Sequence, residues 1–150
     1  MIDLGWSAPM ADVDAGTARR GILWQHERIR TLLRKAAAVA ESALDGDADS
    51  STAVAEVIAD IRSTMEAHLA FEERLLIPLF AAGSIGGAQR GEQLKDEHRR
   101  QREVLAAIHR EACAQPLLPM LAAKLAFLTA WLFADMDEEE GWLLAADDLH

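Results

Sequence analysis

Residues 68–78, HLAFEERLLIP, decide how the chain is read. Their apolar members recur at helical spacing, yet the positions due to point inward are filled by His68 and Glu72. Residues four apart on a helix lie on one face, one above the other. An unpaired neutral polar group in an apolar interior costs roughly 2–7 kcal/mol, and a charged one more. The pattern therefore demands a partner for this pair inside the core.

The same seam can be followed in both directions by steps of three and four. Four periodic segments emerge, over about residues 18–45, from Ser50 or Ser51 to a stop between Ile77 and AAGSIGG, 87–113, and from Pro116 or Pro119 to about 147. Pro78 leaves the end of the second open. Residues 1–17 lack a period and read as an N-terminal arm, with a domain over 18–150. Short connections between helices of similar length predict antiparallel neighbours, so the expected fold class is all-α, an up-down-up-down four-helix bundle.

Every helix breaks its apolar seam with a polar residue. The first runs Ile22, His26, Ile29, Leu33, and the second Ile61, Met65, His68, Glu72, Leu75. The third runs Leu94, His98, Gln101, Leu105, and the fourth Leu128, Leu132, Asp135, Glu139, Trp142. With a rise of about 1.5 Å per residue, His26, His68, Glu72, His98, Asp135 and Glu139 all fall roughly 10–20 Å from one end of the bundle. Three imidazoles and three carboxylates in one buried layer suit iron, manganese or zinc. Two divalent ions and a bridging hydroxide would neutralise three carboxylates, whereas one ion leaves excess negative charge buried. Gln101, one turn from His98, is placed to hydrogen-bond a ligand. Glu138 is the register alternative to Glu139. Glu73 and His109 are expected to lie apart from the site, His109 being about 16 Å further along its helix than His98.

The order His26 in WQHERIR, then HLAFE from His68 to Glu72, then His98 in KDEHRRQ, then DMDEE from Asp135 to Glu139 resembles the hemerythrin-like, HHE cation-binding domains. The resemblance spans about residues 18–147, and HLAFEERLLIPLF is its most specific stretch. It implies a non-heme pair of iron ions, oxo- or hydroxo-bridged, meeting O2, NO or H2O2 in sensing, storage, scavenging or turnover. Whether the chain is an enzyme stays open. Asp135 stands where the family normally carries a fourth histidine. A carboxylate still ligates a hard cation, so either the site survives with altered electronics or one ion is lost.

Composition bounds the alternatives. With 25 acidic residues against 15 basic and a formal charge of −10, binding to a phosphate backbone is opposed, so nucleic acid is not an expected partner. The single cysteine, Cys113, excludes an intrachain disulfide and a Cys-rich zinc site. No uninterrupted apolar run reaches the roughly 18 residues of a membrane span and the first residues do not read as a secretory signal, so a cytoplasmic location without a membrane partner is expected. A ferritin-like carboxylate oxidase would need Glu-x-x-His pairs, which this spacing does not supply. The remaining alternative is a metal-free or single-metal helical interaction module whose polar layer fixes pairing specificity.

Overall fold

The computed structural model describes residues 15–46, 48–83, 87–114 and 119–147, in which the chain forms four helices. They are α1 (Ala15–Leu44), α2 (Ala48–Ala81), α3 (Gly87–Ala114) and α4 (Pro119–Asp147). Most of the expected N-terminal arm lies outside the described residues, and α1 begins three positions before 18. The first two helices end at glycines. Gly46 (φ 99°) and Gly83 (φ 77°) take the left-handed conformation that ends a helix, and the Gly83 amide donates to the Phe80 carbonyl at 2.9 Å. Pro78 does not stop α2, which continues to Ala81.

Each helix packs on its chain neighbours, and α4 closes the ring against α1, giving the up-down-up-down bundle. The seam residues form the core. Ile29, Leu33, Ile58, Ile61, Met65, Leu105, Ile108, Leu121, Leu125, Leu128 and Leu132 are buried in one continuous cluster. A smaller cluster of Ala18, Ile22, Phe71, Leu75, Leu76 and Phe80 plugs the opposite end, with Leu79, Leu94 and Trp142 packed against it. Between the two clusters lies the polar layer.

The fourth helix departs from the expected walk at one step. Met136 is buried at 4% exposure and belongs to the large cluster, while Asp135 is half-buried. From Leu132 the inward face advances four residues and then three to Glu139, which leaves Asp135 on the flank facing α3. A second departure concerns hydropathy. The stretch Pro119–Trp142 is long and apolar enough to cross a membrane by length and composition, although Lys124 and the acids at its end interrupt any continuous run. In the bundle its inward stripe of Leu121, Leu125, Leu128, Leu132 and Met136 packs on the other helices, while Met120 and Phe127 are exposed.

Candidate metal centre

The polar layer is a closed set of facing side chains. From α1 comes His26, from α2 His68 and Glu72, from α3 His98 and from α4 Glu139, all buried. Ligand atoms of His26, His68, Glu72 and Glu139 lie within 4.8 Å of one another. Glu72 is the hub. One of its oxygens is 3.2 Å from His68 Nε2 and 3.3 Å from His98 Nε2, and the other is 4.0 Å from His26 Nε2. Glu139 Oε1 is 3.0 Å from His26 Nε2. The His26 and His68 rings meet edge to face with centroids 4.9 Å apart.

All three histidines turn Nε2 inward and Nδ1 outward, and each Nδ1 has its own acceptor. His26 Nδ1 donates to Glu140 Oε2 at 2.8 Å, His68 Nδ1 to Gln25 Oε1 at 2.6 Å, and His98 Nδ1 to Glu73 Oε2 at 3.3 Å. Two of these acceptors are anchored in turn by arginine. Arg30 binds Glu140 at 2.6 Å and Asp137 at 2.9 Å, and Arg102 grips both oxygens of Glu73 and of Glu66. A hydrogen bond at Nδ1 fixes the tautomer that leaves Nε2 a lone pair facing the chamber, and a carboxylate acceptor raises its basicity.

The inner atoms lack such partners. His26 Nε2, Glu72 Oε2 and Glu139 Oε1 are fully buried without a hydrogen bond, and so is Gln101 Oε1 on the chamber's flank. Orphaned acceptors are rare in protein interiors because each leaves its desolvation uncompensated. Here they converge, and their chemistry of imidazole nitrogen and carboxylate oxygen is that of a transition-metal site. The donor set therefore fits a metal.

Protonation within the layer reflects the same crowding. Burial and the neighbouring His68 push His26 down to about 4, so its ring is neutral near pH 7. Burial opposes ionisation of Glu72, but the attraction of His68 and the hydrogen bonds around it hold its carboxyl well below the ordinary range. Glu139 goes the other way, raised well above that range by burial and by the Glu72 charge. Asp135 is likewise raised, chiefly by burial. For His98, burial is outweighed by Glu72 and Glu73, and its pKa rises.

Of the six residues predicted from sequence, the structure brings His26, His68, Glu72, His98 and Glu139 together. Asp135 borders the layer, and its Oδ2 accepts a 2.9 Å hydrogen bond from Gln101 Nε2. The partner of Gln101 is thus Asp135, beside the layer. Glu138 is exposed, so Glu139 is the inward member of that pair. His109 pairs with Arg62 at 3.1 Å and stays clear of the site. Glu73, expected to stand apart, instead supports His98. Sequence reasoning also missed Gln25 and Glu140. All three lie one residue beside a candidate ligand position, at 25–26, 72–73 and 139–140, but adjacent polar pairs such as Glu27–Arg28 and Asp96–Glu97 are common in the chain and do not single them out.

Comparison with known proteins gives an independent result. A family model described as the hemerythrin HHE cation binding domain matches residues 19–146. Searches of curated proteins and of solved structures returned no match.

Proposed function

The chain belongs to the hemerythrin family of HHE cation-binding domains, and from that premise we propose that it is a non-heme di-iron protein that binds or reacts with a small diatomic or peroxide. The observation that carries this reading is the convergence of four buried side chains, His26, His68, Glu72 and Glu139, whose ligand atoms lie within 4.8 Å of one another. His26, His68, Glu72, His98 and Glu139 hold the metal, Glu72 as the central carboxylate, and Asp135 completes the set from the α3 side. When bound, iron supplies the redox chemistry. The protein's part is to fix each imidazole by its Nδ1 bond, to keep water out with the apolar clusters on either side, and to hold Glu139 ready to release a proton. An anionic Asp135 adds negative charge near the metal and favours the ferric state, which suits sensing or turnover better than carriage.

A single-ion reading has support of its own. His26, His68, Glu72 and Glu139 form a compact four-donor group, and Asp135 is already engaged by Gln101. Metal analysis after anaerobic loading with ferrous iron, combined with the optical spectrum after exposure to air, separates the two. About two irons per chain is the expected result; about one supports the single-ion reading, and a folded chain that takes up none refutes both.

A further inference from the structure

The flanks of the polar layer differ in how they meet solvent. Beside His26, between α1 and α4, the carboxylates of Glu140 and Asp137 are closed over by Arg30. Beside His98, between α2 and α3, Arg102 closes over Glu73 and Glu66. The third flank, between α3 and α4, is built otherwise. These two helices pack least closely of the neighbouring pairs, and a cleft of about 170 Å³ opens between them. Glu97, Asp135, Glu138 and Glu139 line it, with Arg90 and Trp142 at one edge.

Glu139 belongs to this cleft and to the metal centre at once. It is only 6% exposed, and its Oε1 has no hydrogen-bond partner. Of the other carboxylates in the lining, Asp135, held by Gln101, and Glu97 are half-buried and Glu138 is exposed. Glu97 is tied to Arg100 at 2.8 Å, but Glu138 has no salt-bridge partner among the described residues. Arg90, the cation of the lining, is drawn over the Trp142 ring at 4.6 Å. The cleft therefore carries carboxylates graded in burial from exposed Glu138 to Glu139, which also faces the metal centre, on a chain whose net charge of −10 already attracts cations.

We infer that the α3–α4 cleft is the port through which a divalent cation reaches the metal centre, with Glu138 and Glu97 capturing it and Asp135 and Glu139 passing it inward. This rests on the metal-binding reading above and adds a route to it. Lined by carboxylates, the port favours cations over anions of similar size.

The test is the rate of metal uptake by the full metal-free chain, followed by stopped flow with Co²⁺, whose visible absorption reports entry into the site. Glu97→Gln with Glu138→Gln should slow uptake roughly tenfold at low ionic strength, a difference that shrinks as salt screens the carboxylates. Arg90→Gln should speed it. Glu56→Gln, on the exposed face of α2, should leave the rate as it was. The amplitude separates route from site, because a damaged port changes how fast the absorption grows and a damaged ligand set changes how far. Uptake by the double variant at the wild-type rate, or the same slowing from Glu56→Gln, overturns the port while leaving the metal centre standing. No uptake by the wild type overturns the metal reading and the port with it.

Discussion

The two ends of this bundle are built on the same seam by opposite means. In the end formed by the C-terminal part of α1 and the N-terminal part of α4, Leu33, Ala36, Ile58, Leu121, Leu125 and Leu128 meet with no titratable group among them. Toward the other end, before the smaller apolar cluster closes it, the seam carries His26, His68, Glu72, His98 and Glu139, with unsatisfied atoms at its centre. The first end stabilises the fold by removing apolar surface from water, at about 25 cal/mol per Å². The second spends stability on desolvated polar groups, which a bound cation would return.

The largest expected effect breaks the apolar end. Leu33 is fully buried, and Leu33→Ala should cost about 2–5 kcal/mol of stability, from lost transfer energy and the cavity left behind. Urea denaturation should show the same loss with and without metal. A loss confined to the metal-free protein would mean that the two ends are not independent.

Next comes the loss of the hub. Glu72→Ala removes the carboxylate that faces all three histidines, so added ferrous or cobaltous ion should no longer raise the melting temperature. In the wild type, metal at a thousand times its dissociation constant should add about 4 kcal/mol. A variant still stabilised by metal to the wild-type extent would remove Glu72 from the site.

Smaller again is the effect of the outer acceptors. Gln25→Ala, Glu73→Ala and Glu140→Ala each leave the inward nitrogens in place but free a ring to turn, and loss of such a support typically weakens metal binding 10–100-fold. Competition against a chelator of known affinity measures this. His109→Ala, outside the layer, should show no change. Equal affinities for all four variants would reduce the Nδ1 bonds to packing.

The contrast between the ends also explains what could be read without coordinates. The apolar seam was legible because period and burial coincide: a leucine on the inward stripe has nowhere better to go, and Ile29, Leu33, Ile58, Ile61, Leu105 and Leu128 all lie where stepping by three and four puts them. The polar layer was legible as a height, since polar breaks in four seams matched by helix rise. Its finer structure was not. The choice between Asp135 and Met136 turns on one step of a stripe whose period is 3.6, and either step is permitted locally. The supports Gln25, Glu73 and Glu140 sit about 100° around the helix from the ligands. In sequence they look like ordinary surface residues, and only the neighbouring helix turns them into acceptors.

The last prediction is the smallest and concerns protons. In the metal-free chain Glu139 is raised well above the ordinary carboxylate range, and His98 is raised as well. A metal needs the anionic carboxylate and the neutral ring, so binding displaces the protons these groups hold. Affinity should therefore climb with pH through the raised values and then level, by at most about tenfold per pH unit for each proton displaced. The sign for stability follows from the same shifts. A raised folded value means that the contribution of Glu139 to the metal-free fold is complete below its unfolded pKa and is lost as pH rises through the folded one. Glu72, held low, contributes above its unfolded pKa, and that contribution fades as pH falls through its depressed value. The metal-free protein should thus lose stability from Glu139 on the alkaline side of the ordinary carboxylate range, and metal should restore it there. Calorimetric titration near pH 7 in two buffers of different ionisation enthalpy counts the protons directly. Leu33→Ala should shift the whole stability curve down without changing its shape, since none of the buried residues in its cluster titrates, whereas Glu139→Gln should flatten it. An affinity that stays level between pH 5 and 8 would show that neither Glu139 nor His98 gives up a proton to metal.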